Sequence, residues 1–224
     1  MAHTIVQGKK AVSIHFCTEV EYFCFFYQFA YTILIMSKRK IQNPERLTRE
    51  QWLARSLEIL SEAGPGELRI DTIAAKMKVT RGSFYWHFIN RADYIKSLAE
   101  YWLWSSTDEV IDMVNGMDAD PKTKLTTLIT HVIRENLAGY DIAAQMLMHK
   151  EPQIAPIITG AFVHRASCIQ SLFKEMGYQG QDLATRTHLF VGFFSLDAIL
   201  KDQSTRKKRL YQALKMLDFL TIQY

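Results

Sequence analysis

From Met36 onward the chain shows no sustained alternation of apolar and polar residues. Apolar residues recur instead at spacings of three and four, as in Leu53, Leu57 and Leu60, or Tyr94, Leu98 and Trp102. That period belongs to the helix, whose one-sided apolar stripe must be buried against a neighbour, whereas a half-buried strand repeats every two residues. The spacing therefore predicts an all-α protein. Ten glycines and five prolines in 224 residues are too few for a turn-dense β fold. A composition 48% hydrophobic and 22% charged is too apolar for a disordered chain.

Local punctuation divides the helical stretch. Thr48 and Gln51 have the spacing of a capping box, and Gly64-Pro65-Gly66 stops the helix that follows. Short helices are expected near Ile70 to Met77 and from Thr80 to about His87. A longer one starts near Arg91 and runs to Asn115-Gly116. Asp120-Pro121 opens the next helix, with a cap and a proline in its first turn. That helix is expected to end by Gly139, with a shorter one over Asp141 to His149. A long helix closing at Met176-Gly177 follows, then two more near Gln181 to Lys201 and Ser204 to Ile222. The architecture expected is a small N-terminal three-helix unit with a helix-turn-helix, joined to a larger bundle by the helix from Arg91.

Charge is uneven along this plan. Residues 37–100 hold 12 Lys and Arg against 8 Asp and Glu, residues 101–224 hold 13 against 13, and residues 1–36 hold 2 against 2. All of the net +4 thus lies in one stretch. A locally basic segment suits a polyanionic partner, although a solvated basic surface would look the same.

Within that stretch, Ile70 to His87 has the layout of a helix-turn-helix. Ile73 and Ala74 give the first short helix a close-packing apolar face, Val79 plugs the corner, and Thr80 is placed to cap the second helix with its hydroxyl. Phe84 and Phe88, at i and i+4, would be buried against the first two helices. The opposite face would present Arg81, Ser83, Tyr85, Trp86 and His87: a cation, hydroxyls, an indole and an imidazole. Gly82, without a side chain, lets a sugar-phosphate ridge come close. Tyr85 or Trp86 alone is more often a core residue; the set following a capped turn points to double-stranded DNA.

Thr80 to Phe88, continued by Ile89-Asn90-Arg91-Ala92-Asp93-Tyr94, resembles the signature of the TetR family of bacterial transcriptional regulators. The resemblance covers about Leu47 to Leu98 and extends beyond it only as architecture. It implies a homodimeric all-α regulator, commonly a repressor, that binds a near-palindromic operator and is released by a small-molecule effector. By the same resemblance Arg81 would read a base edge, Gly82 and Ser83 would lie against bases, and Thr80, Tyr85, Trp86 and His87 would hold the phosphate backbone. Arg91 would grip a phosphate at the start of the next helix. Lys38-Arg39-Lys40, with Arg46 and Arg49, could reach an adjacent groove. Two departures stand out. Lys78 occupies a corner where the family usually has Gly and where the backbone would be left-handed, and Arg69 replaces a Ser or Thr cap.

The divisions expected are 1–36 as an atypical apolar extension, 37–92 as the DNA-binding domain, and 93–224 as an effector-binding and dimerisation domain. Leu183, Leu189, Phe190, Val191, Phe193, Phe194, Leu196, Ile199 and Leu200 wrap too far round one helix for a single neighbour to cover. Together with Leu210, Leu214, Leu217 and Leu220 they suggest a four-helix interface between two copies. Trp102, His131, Tyr140, Met146, Phe162 and Arg165 are candidates for an effector cavity, with Trp104, Met148 and His164 as further aromatic, flexible or polar residues of the middle helices. His131 and Glu135, four apart, are two metal ligands without a third, which makes a surface pair the plainer reading.

Tyr22 to Met36 is a run of 15 uncharged residues, short of the roughly 20 that a bilayer span needs. It reads as a short membrane or interfacial segment, as a docked apolar helix, or as translated sequence upstream of the true start. The last is favoured, because Met36 is followed by Ser37-Lys38-Arg39-Lys40. Cys17, Cys24 and Cys168 form neither a metal-ligand spacing nor a disulfide framework, so a reducing cytoplasm is expected; with the apolar run too short for a span, no membrane association is expected. No Walker loop, Rossmann glycine pattern, nucleophile elbow or HExxH is present, so neither an enzyme nor a cofactor is expected. The rival reading is a membrane-associated or protein-binding helical regulator.

Overall fold

The computed structural model describes residues 47–200 and 205–222, with the side chains of 197–200 left aside; the N-terminal extension, the Lys38-Arg39-Lys40 arm and Arg46 lie outside them. Helices α1 (Arg49–Ala63), α2 (Ile70–Met77), α3 (Arg81–His87) and α4 (Arg91–Leu103) come first. A π-helical turn, Trp104–Asp108, carries α4 into α5 (Glu109–Asn115). Then follow α6 (Pro121–Arg134), α7 (Leu137–Lys150), α8 (Ala155–Glu175), α9 (Gly180–Leu200) and α10 (Arg206–Leu220), with no strand among the described residues.

The starts of α1, α4 and α6 are held by side chains at their caps. Thr48 and Gln51 form a reciprocal capping box on α1. Asp120 accepts from the amides of Lys122 and Thr123 at 3.0 and 3.1 Å. Asn90 accepts from Asp93 N–H at 2.9 Å while Asp93 accepts from Ile89 N–H at 3.0 Å. Each such cap stabilises a helix by about 1 kcal/mol.

One boundary differs from expectation. The helix from Pro121 ends at Arg134, and Gly139 and Asp141 lie inside α7. The break falls at Asn136, with φ 55 and ψ 37. Asn tolerates the left-handed region better than other side chains, so it stops the helix before Gly139 can. Thr80 is a second correction. It holds the N-cap position of α3 but its side chain makes no cap hydrogen bond. Lys78 does adopt the left-handed conformation expected of the corner, at φ 58.

Two apolar cores organise the described residues. In the first, α1 to α4 pack around Trp52, Phe84, Phe88 and Tyr94, all at most 1% exposed, and the cluster continues into α7 and α8 through Leu147 and Ile158. Trp52 meets Phe84 and Phe88 edge-on at 5.8 and 6.4 Å. Burial of rings of this size makes truncation cost about 3–5 kcal/mol. The second core lies among α5, α6, α8, α9 and α10, around Phe173 and Phe190. Because the first core includes residues of α7 and α8, the helix-turn-helix is packed onto the bundle and does not hang from a single linker.

Candidate nucleic-acid interface and bundle cavity

Helix α3 is anchored by one face and open on the other. Phe84 is fully buried and Phe88 is 1% exposed, whereas Tyr85 is 55% and Trp86 87% exposed. An indole left bare to this extent has its apolar area uncovered, which favours a partner surface. Arg81 is exposed, and its Nε pairs with Asp71 of α2 at 2.8 Å. The pair sets the start of the guanidinium's reach across the α2–α3 corner and, being exposed, is weak enough to exchange for a base edge or phosphate.

Other positions on this surface are partly committed to the fold. Ser83 is half-buried and accepts from the Trp52 indole N–H at 3.3 Å, so its hydroxyl supports the core. His87 is half-buried, with its ring against Phe88. Gly82 is exposed, and a Cβ built on it would meet only Thr80 Oγ1, at an ordinary 3.6 Å. The fold itself leaves room for a side chain there. Arg49 donates to Ser97 and lies over the Phe88 ring at 5.3 Å, so it braces α1 against α4. Ile89, 85% exposed beside this face, was not singled out from the sequence; a lone apolar residue in a turn gives no periodic signal.

Arg91, the first residue of α4, is half-exposed and pairs with Glu151 at 2.6 Å. Glu151 follows α7, and its other oxygen accepts from Gln153 Nε2 at 2.9 Å. The hydrogen bond from Arg91 is the main cause holding the Glu151 carboxyl below its ordinary value of 4.5.

The bundle holds a cavity of about 210 Å³ bounded by the π turn and by α5 to α9. Apolar side chains such as Val110, Leu128 and Phe190 make most of its wall. Of the six effector candidates, Phe162 and Arg165 line it. Trp102 is buried behind them, 6.1 Å from Phe162 and 5.2 Å from the Arg165 guanidinium. Met146 lines an open groove beside Gly64-Pro65-Gly66, and Tyr140 packs against the first core. His131 lies on α6 with Nδ1 buried and unpartnered, and burial lowers its pKa. Trp104 is exposed and His164 faces Asp108 at 3.5 Å.

Sequence reasoning named Arg165 but missed the partners that hold it, Thr107, Ser106 and Asp141. Arg165 donates to Thr107 Oγ1 at 2.7 Å, to Asp141 Oδ2 at 2.6 Å and to the Ser106 carbonyl at 2.9 Å. That carbonyl belongs to the π turn, in which Glu109 N–H reaches back to the Trp104 carbonyl. The widened turn lets a backbone oxygen turn to a side chain, and such turns concentrate at functional sites. Among the described residues no group of three or more His, Cys, Asp or Glu side chains is placed to hold a metal. No helix of the described residues is long and apolar enough to cross a membrane.

Residues 53–97, which run from α1 through α3 into α4, match the model of the bacterial regulatory proteins of the tetR family. This helix-turn-helix is a TetR-family one. The TetR-family likeness extends to the curated HTH-type transcriptional regulator AcrR of Shigella flexneri, 22% identical over 135 residues. That alignment covers 59% of this chain and 63% of AcrR; the chain thus matches less than two thirds of that relative. A transcriptional regulator from Rhodococcus sp. Rha1 superposes with a TM-score of 0.61 at 15% identity, over 78% of this chain and 94% of that one. FadR from Bacillus subtilis, solved in complex with stearoyl-CoA, gives 0.58 at 18% identity, over 79% and 100%. SmeT, the repressor of the Stenotrophomonas maltophilia efflux pump SmeDEF, gives 0.53 at 17%, over 78% and 90%. These structures share the all-helical fold.

Proposed function

We propose that this chain is a transcriptional regulator of the TetR type, a repressor that binds a near-palindromic operator as a homodimer and releases it when a small molecule enters the bundle cavity. The observation that carries the reading is the two-sided character of α3: Phe84 buried, and Arg81, Gly82, Tyr85 and Trp86 on the open side. A short helix with a guanidinium, a missing side chain and exposed aromatic rings matches a major groove, where Arg pairs with guanine O6 and N7. Tyr85, Trp86, His87 and Thr80 supply backbone-positioning contacts and Arg91 a phosphate contact. One such helix reads few bases, so a second copy roughly 34–36 Å away, one turn of DNA, provides the other half-site.

The dimer reading rests on α9 and α10. Leu189 and Leu196 on α9, and Tyr211 and Phe219 on α10, are each more than half exposed, an apolar surface that a second copy would cover. Sedimentation at micromolar concentration tests it, and a clean monomer near 26.0 kDa contradicts it. The regulator reading as a whole is tested by a footprint of the purified protein on the DNA upstream of its own gene. Protection of two half-sites, lost on adding a cognate small molecule, is expected. Uniform protection irrespective of sequence contradicts it.

A further inference from the structure

Asp141 and Arg165 are the charged residues of the cavity wall, which also includes Gln145 and Ser195, and the hydrogen bonding of this pair is incomplete. Asp141 accepts from Arg165 through Oδ2, while its Oδ1 is buried with no partner. Both side chains are 19% exposed, so the pair retains some access. A buried carboxylate oxygen without a donor is unfavourable, the more so when it carries charge. Arg165, by contrast, is well provided for. Each of its three nitrogens donates to an acceptor. Its guanidinium also lies over the Trp102 and Phe162 rings at 5.2 and 5.4 Å. Its charge is already balanced by Asp141. The buried atom of this pair left without a partner is therefore an acceptor, Asp141 Oδ1, and the group that completes it is a donor.

We propose that this cavity takes a small amphipathic molecule whose polar end is a hydrogen-bond donor, an alcohol or amine, placed on Asp141, and that it discriminates against carboxylates. This deepens the effector reading above and rests on it. The apolar wall from α5, α6 and α9 receives the tail. The volume of about 210 Å³ is below the ~300–1,000 Å³ of drug-sized pockets, which sets the ligand's size as small. An anionic end would face the Asp141 carboxylate at short range in a low-dielectric site, where repulsion is least screened. A donor end instead completes Asp141, and it draws on the carboxylate that orients Arg165. Since Arg165 also holds Thr107 and the Ser106 carbonyl, the head group acts on the π turn that joins α4 to α5.

The test is calorimetric titration of the full chain with three probes that share a tail: octan-1-ol, octylamine and octanoate. Both donors are expected to bind at least tenfold tighter than octanoate, and to protect Cys168, which lines the same cavity, from alkylation. In Asp141→Asn the charge is gone and Arg165 is left as the sole ion, so octanoate is expected to gain at least tenfold and the order to reverse. Asp141→Glu keeps the charge and is expected to keep the wild-type order; the helical dichroism of each variant reports its folding. The wild-type ranking decides by itself if Asp141→Asn does not fold. Octanoate binding as well as or better than the alcohol and amine overturns the assignment. If octanoate also releases DNA, the effector reading stands without it. If the donors bind in the expected order but no probe releases DNA, the ligand class stands and the effector role falls. Failure of all three to bind overturns both.

Discussion

Arg91 and Glu151 meet at 2.6 Å, which joins the first residue of α4 to the residue that ends α7. The first belongs to the helix-turn-helix unit and the second to the bundle, so one ion pair spans the two. If Arg91 grips a phosphate, DNA and Glu151 compete for it. Glu151→Gln is therefore expected to tighten binding to random duplex several-fold at low salt, read by fluorescence anisotropy. Its stability cost is expected to be about 1 kcal/mol or less, because Arg91 is half-exposed. The pH dependence has a definite sign. Glu151's folded pKa lies below 4.5, so its contribution is full above that value and is lost as pH falls through the lower folded one. Glu151→Gln should flatten that acid limb in melting curves.

His131 should give a pH dependence in another window. Burial is the first cause of its lowered pKa, against the ordinary 6.5, and Nδ1 has no partner. The unfolded chain therefore binds the proton more readily. Stability should decline as pH falls below about 6.5 and level off below the folded value. His131→Phe should remove that part of the dependence in thermal unfolding followed between pH 7.5 and 5.

Gly82 separates the needs of the fold from those of the groove. The 3.6 Å clearance to Thr80 Oγ1 admits a Cβ, and Ala favours a helix over Gly by up to about 1 kcal/mol. Gly82→Ala should leave the melting temperature unchanged or raised while weakening operator binding tenfold or more. Equal operator binding by the variant contradicts close approach at this residue.

Lys78 is the converse case. At φ 58 a non-glycine residue bears strain of roughly 1–2 kcal/mol. Lys78→Gly should raise stability by about 1 kcal/mol, net of the entropy that glycine costs. Chemical denaturation measures it, and a loss of stability contradicts the strain argument.

The sequence was most informative where a side chain must satisfy the backbone. Thr48 and Gln51, Asp120, and the Lys78 corner are legible because only certain residues serve as caps or sit in the left-handed region. The aromatic pair Phe84 and Phe88 fixed the buried face of α3, and so the open one. The bundle was harder to read. Gly139 suggested a stop that Asn136 supplies first, and this misplacement made Asp141 look like a helix start when it lies inside α7 and pairs with Arg165 on α8. Side chains brought together from the π turn, α7 and α8 leave no periodic mark in sequence. That is why Phe162 and Arg165 were found as residue types but Thr107, Ser106 and Asp141 were not. His131 and Met146 illustrate the reverse, since residues suited to a cavity also serve as core or surface.

The most direct test of α3 as the reading helix is equilibrium binding of wild type and Arg81→Ala to the footprinted duplex and to a random duplex of equal length. Arg81→Ala should lose about 1–3 kcal/mol on the footprinted duplex, with relaxed preference at one base pair of each half-site and little change on the random one. Equal losses on both duplexes would contradict the assignment of Arg81 as a base reader.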